Sequence, residues 1–117
     1  MIQNHKSLVV WKESVTFAAD IYRLSSTLPV EERYGLSVQM RNAAISIASN
    51  IAEGAARGSS KEFVRFLNIA AGSASELDTQ MEILLRIGII DNSKVKEMKN
   101  GLDSISRMIQ GLIRSIR

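Results

Sequence analysis

The sequence contains no cysteine. Disulfides, thiolate zinc sites and cysteine nucleophiles are thereby excluded, and a reducing compartment fits this composition. The single histidine, His5, stands near the N-terminus and reads as a solvated residue, so acid-base chemistry has a poor supply of groups. Long apolar runs are also missing. The opening "MIQNHKSLVVWKESV" carries one short apolar stretch that Lys12 and Glu13 interrupt, too short for a signal-peptide core or a bilayer span. A cytoplasmic protein without a membrane partner is the expectation. No run alternates apolar and polar residues, and the single proline, Pro29, stands between two helical patterns, so strands are not expected.

What is present is helical periodicity. The 117 residues suffice for one domain over 1–117, and the fold class read from the pattern is all-α. A first helix is expected from Ser7, as N-cap, to Leu28, where Pro29 stops it. "TLPVEERYG" is a connector with a helical turn of its own. A second helix spans Leu36 to Ala56. Gly58 ends it, and Ser59 with Glu62 forms a capping box for a third helix that runs to Ile87. Gly88 stops that helix, and Asp91 or Asn92 caps a fourth that lasts almost to Arg117. Four helices with short connections imply an antiparallel up-down-up-down four-helix bundle.

The apolar spacing sharpens this. Phe63, Leu67, Ala70, Ala74, Leu77, Met81 and Leu84 recur at steps of four and three, and so do Val95, Met98, Leu102, Ile105, Ile109, Leu112 and Ile116. Both are coiled-coil-like seams. The first helix carries two stripes, Leu8, Trp11, Val15, Ala18 and Tyr22 beside Val10, Phe17, Ile21, Leu24 and Leu28. That is more apolar circumference than one bundle seam covers, and a homo-oligomer is the expected consequence.

Along the second helix Gln39, Asn42, Ser46, Asn50, Glu53 and Arg57 form one polar line; Glu62, Arg65, Ser73, Glu76 and Gln80 form another on the third. If the helices pack antiparallel about Gly58, Glu53 faces Arg65, Asn42 faces Glu76, and Gln39 faces Thr79 and Gln80. Ala43, Ala44, Ala48, Ala70, Ala71 and Gly72 would let the backbones approach. Such a seam fixes register and partner choice at some cost in stability.

A catalytic reading finds little. No Glu-x-x-His pair suggests a di-metal bundle, and "EGAARGSS" lacks the strand and spacing of a phosphate loop. No enzymatic activity, metal or cofactor is expected. The net charge is +3, and the excess lies in the C-terminal segment, where Lys94, Lys96, Lys99, Arg107, Arg114 and Arg117 meet only Glu97 and Asp103. With Arg41, Arg57, Lys61 and Arg65, these are the candidate contacts to RNA or DNA. Few aromatics are free for stacking, so any binding should be to the phosphate backbone and salt-sensitive. The alternative is a purely structural or protein-interaction oligomer.

"VW" in the first helix, "LPVEERYGLSVQMR", "AAISIASNIAEGAARGSSKEFVRFLNIAAGSASELDTQMEI" and the following "GII" resemble the four-helix-bundle family of 23S ribosomal-RNA intervening-sequence proteins. The resemblance implies a bacterial homopentamer without activity or cofactor, and Arg41, Asn50, Glu53, Arg57, Glu62 and Glu76 are its motif positions. A related branch resembles the accessory variability determinants of diversity-generating retroelements, which implies nucleic acid and a reverse transcriptase-like protein as partners. Where the family often has a second arginine this chain has Asn42, and where it often has proline this chain has Ala48, so the second helix should be straighter.

Overall fold

The computed structural model describes residues 4–32 and 35–117. These contain four α-helices and no strand: α1 (Val9–Ser25), α2 (Leu36–Ala56), α3 (Ser60–Ile87) and α4 (Asn92–Ile116), with 3-10 turns at His5–Ser7 and Val30–Glu32. Each helix packs on its neighbour in sequence and α4 closes against α1, giving the expected all-α antiparallel bundle, elongated at 46 × 22 × 19 Å. No helix among the described residues is long and apolar enough to cross a membrane.

The helix ends follow local chemistry. The Ser59 hydroxyl accepts from the Glu62 amide at 3.3 Å, half of the expected capping box. The other half is absent, because the Glu62 carboxylate turns to Arg65 instead. Gly58 and Gly88 take left-handed φ values of 72° and 75° at the ends of α2 and α3, a conformation that glycine adopts without steric cost. At the head of α4, the Asp91 carboxylate accepts from the Ser93 amide at 3.0 Å.

Helix α1 is shorter than expected at both ends. Ser7 closes a 3-10 turn rather than capping α1, and Leu8 occupies the cap position without a side-chain bond. At the other end Ser25, Ser26 and Thr27 each donate a hydroxyl to the carbonyl of Tyr22 or Leu24. Such back-bonding competes with the helical ladder, so α1 ends at Ser25, before Pro29 can impose its own restriction. The expected turn in the connector is present at Val30–Glu32; Arg33 and Tyr34 of that connector lie outside the described residues.

The core is a column of aliphatic side chains. All seven seam residues of α3 are buried. In α4 the seam holds through Ile109, but Ile113 then takes the buried place while Leu112 and Ile116 are half-buried. A straight helix of about 3.6 residues per turn drifts away from a strict seven-residue repeat, and the last turns of α4 follow the helix rather than the repeat. In α1 the buried stripe is Val10, Phe17, Ile21 and Leu24.

Helices α2 and α3 form the most intimate pair. A Cβ on Gly54 would lie 2.8 Å from the Phe66 Cβ and 3.1 Å from the Phe63 ring. No larger residue fits there without moving a backbone. Ala43, Ala44, Ala48 and Ala70 are buried as expected, whereas Gly72 is exposed and has open space around it.

Candidate functional site

The two polar lines do not interlock as a buried seam. Gln39, Asn42, Glu53, Arg57, Arg65 and Glu76 are exposed, Asn50 is half-buried, and Gln80 is buried. The α2–α3 link is made by smaller groups. The Ser46 and Ser73 hydroxyls meet at 2.8 Å, and Asn50 Nδ2 donates to the Ser46 carbonyl at 2.8 Å and hydroxyl at 2.9 Å. This serine pair keeps the expected register about the Gly58 turn, but the expected charged pair is not formed. Arg57 Nη2 donates to Glu53 Oε1 at 2.7 Å one turn along α2, and Arg65 pairs with Glu62 at 3.5 Å along α3. Phe66 explains the separation: its ring lies beneath both guanidinium groups, at 4.9 Å from Arg57 and 5.4 Å from Arg65. No hydrogen bond joins Asn42 to Glu76 or Gln39 to Gln80, and Gln80 keeps a buried Oε1 without a protein partner.

Arg41 stands apart from the other candidate contacts to nucleic acid. Its Nε donates to the Ser25 hydroxyl at 2.6 Å, its Nη2 to the Ser26 hydroxyl at 3.1 Å and the Tyr22 carbonyl at 3.4 Å, and its guanidinium lies 4.6 Å from the Tyr22 ring centre. It ties the end of α1 to the start of α2, together with the buried Ser37, which donates to the Ser25 carbonyl. No carboxylate pairs with it among the described residues.

The basic C-terminal segment does not form one surface. Helix α4 has 25 residues, and at about 1.5 Å rise per residue its two ends are roughly 37 Å apart. Lys94, Lys96 and Lys99 therefore belong to one end of the bundle. Arg114 and Arg117 belong to the other, where Ile116 meets Gly54, Gly58 and Ser59 across a shallow cleft. There they join Arg57, Lys61 and Arg65. Lys99 is spent between helices, with its ammonium 2.8 Å from Glu82 and 3.4 Å from Asp78. The hydrogen bond from Lys99, reinforced by one from Arg86, holds the Glu82 carboxyl below its ordinary value, and the bond to Glu82 raises Lys99 above its own. Arg107 is paired with Asp103. Lys61, Lys96, Arg114 and Arg117 make no ion pair among the described residues.

The contacts Ser46–Ser73, Lys99–Glu82 and Arg41–Ser25 fix the rotation of the helices. At about 3.6 residues per turn, one side of the α1–α2 pair then carries Trp11, Val15, Ala18 and Tyr22 beside Val38, Ile45 and Ala52. Val15, Tyr22, Val38 and Ile45 are between 40% and 43% exposed. This is the second stripe of the first helix, extended onto α2. The α3–α4 side carries Lys61, Arg65 and Arg86 with Lys96, Arg107, Arg114 and Arg117, and α4 has no large exposed apolar residue. Among the described residues no group of three or more His, Asp or Glu side chains gathers into a metal-binding cluster.

Three features of this arrangement escape the sequence reading: the Gly54 contact, the Ser46–Ser73 bond and the Arg41–Ser25 tie. Gly54 carries a signal, since a glycine inside an unbroken helical pattern marks a close approach. The other two depend on which rotamers the neighbouring helix allows and have no sequence signal of their own.

Comparison with known proteins agrees with this architecture. No curated protein matches the chain. A crystal structure of a protein with unknown function from the S23 ribosomal protein family of Bacteroides thetaiotaomicron VPI-5482 superposes with a TM-score of 0.83 at 27% identity, covering 90% of this chain and 98% of that one. The model of the 23S rRNA-intervening sequence protein family matches residues 6–111, and the chain belongs to that family.

Proposed function

We propose that the protein is a non-catalytic module that assembles with copies of itself through its α1–α2 side and offers its α3–α4 side to the phosphate backbone of RNA or DNA. One observation carries this reading: α1 and α2 expose the continuous apolar line Val15, Tyr22, Val38 and Ile45, while α4 exposes no large apolar residue and holds Lys96, Arg114 and Arg117 without an ion pair among the described residues. Apolar area of this kind is stabilised by being covered. The basic side has rigid helices, no glycine-rich loop and no exposed aromatic platform, which suits backbone contacts rather than base reading. The resemblance implies five copies, and repetition around a ring would multiply a modest charge into an avid surface. The family's description makes ribosomal RNA the first polyanion to test.

The test is a fluorescence-anisotropy titration against structured RNA and duplex DNA at several salt concentrations, with the mass followed by light scattering. The reading expects tight binding at low salt and a steep salt slope. Replacing Lys61, Arg114 and Arg117 with Gln should flatten the log-log slope by about 0.9 for each phosphate contact removed, with the mass unchanged. Equal binding by that variant would retire the α3–α4 side. No binding at low salt by a stable assembly would leave a protein-interaction scaffold, with a reverse transcriptase-like partner the first to try.

A further inference from the structure

Arg41 sits in the middle of the apolar α1–α2 side without an acidic partner among the described residues. A second unpaired charge has similar surroundings on the adjacent side of the bundle. Along the outer edge of α3, Ile69, Glu76 and Ile83 recur at seven-residue spacing; the two isoleucines are 41% and 47% exposed, and Glu76 has no ion pair among the described residues. Glu53 and Glu62, the nearby acids, are each already paired with an arginine.

The two ladders match. Val38, Ile45 and Ala52 also recur every seven residues on α2, so both have rungs about 10.5 Å apart. The Ser46–Ser73 bond sets the relative heights of α2 and α3. It brings Val38, Ile45 and Ala52 each within about two residues, roughly 3 Å, of the heights of Ile83, Glu76 and Ile69. Glu76 then lies between the heights of Ile45 and Arg41, about two residues, roughly 3 Å, from each. Two different sides of one molecule carry complementary charge at nearly the same height, which suits contact between successive copies rotated about an axis parallel to the bundle. Such a contact is heterologous, and it closes into a ring when its rotation divides a full turn. A two-fold contact of the α1–α2 side with itself would leave Arg41 without an acid.

Building on the self-assembly reading above, we infer that the Val38–Ile45–Ala52 ladder of one copy packs beside the Ile69–Glu76–Ile83 ladder of the next, with Arg41 paired to Glu76 across the contact. The pair sets orientation and excludes the two-fold alternative, while the aliphatic rungs supply the buried area.

Charge reversal tests this by sedimentation velocity over a dilution series, with helicity checked by circular dichroism. Glu76→Arg should raise the dissociation constant about tenfold or more, Arg41→Glu should do the same, and the double reversal should return it to within about threefold of the wild type. A folded Glu76→Arg that assembles like the wild type overturns the pairing, as does a folded double variant that fails to recover. Should Arg41→Glu unfold through loss of its Ser25 and Tyr22 contacts, Ile83→Asp replaces it. Dissociation of that variant supports the contact, and an unchanged assembly overturns it. A wild type that is monomeric at every concentration instead defeats the self-assembly reading itself.

Discussion

The α1–α2 and α3–α4 sides are built from the same kind of helix but treat their outward residues in opposite ways. On α1–α2 the outward line is Trp11, Val15, Tyr22, Val38 and Ile45, and its one central cation, Arg41, is bound to hydroxyls, a carbonyl and an aromatic ring. On α4 no large apolar residue is exposed and several cations have no partner among the described residues, while α3 carries Lys61, Arg65 and Arg86 beside the exposed Ile69 and Ile83. The core between the two sides is continuous, so the difference does not arise from what holds the bundle together. An apolar line in water favours a covering surface, and an unpaired basic line favours a polyanion.

That contrast can be broken at several depths. The largest effect is expected at the α2–α3 seam, on which the relative placement of both sides depends. Gly54→Ala should cost about 1–3 kcal/mol in chemical denaturation, because its methyl collides with Phe63 and Phe66. Gly72→Ala, in open space on the facing helix, should instead stabilise by about 0.5–1 kcal/mol. Equal effects at the two glycines would mean that the seam is looser than described.

The Lys99–Glu82 clamp behind the basic side gives a pH-dependent effect. Because the Lys99 and Arg86 hydrogen bonds hold the folded-state Glu82 carboxyl below its ordinary value of 4.5, its contribution is present above about pH 4.5 and is lost as pH falls through the lower folded value. Lys99 is raised above 10.5, so its contribution is complete below that pH and is lost as pH rises through the raised value. Thermal midpoints of Glu82→Gln should therefore fall less steeply on acidification than those of the wild type; parallel profiles would contradict the clamp. The smallest effect is expected at the edge between the two sides. Glu53 is half exposed and, among the described residues, pairs only with Arg57 on its own helix, so Glu53→Ala should shift stability by no more than about 0.5 kcal/mol. A loss of several times that in the monomer would restore the idea of a buried polar seam.

Much of this division was legible in the sequence. The seven-residue spacing of α3 named the apolar residues of its buried face but left the buried Gln80 on the polar line, and the surplus stripe on α1 announced a surface without an internal partner. The bounds of α2 were readable because Gly58 supplies a sharp stop. Other features were not readable, for identifiable reasons. Hydroxyls competing for carbonyls shortened α1, and no periodicity records that. The charge run from Lys94 to Arg117 looked like one basic patch because adjacency in sequence was taken for adjacency in space, yet a long straight helix carries its ends far apart. Glu53 and Arg65 are near the same level across the turn, but Phe66 is interposed and each charge finds a nearer partner along its own helix.

The most direct test of the account is the mass of the wild type and of Ile45→Asp, measured side by side by light scattering at matched concentrations. The account predicts a wild-type mass that is a multiple of the 12.9 kDa chain, and a folded, helical Ile45→Asp at the mass of one chain. A wild type at 12.9 kDa, or a variant that keeps the wild-type mass, would contradict the assignment of the α1–α2 side to assembly.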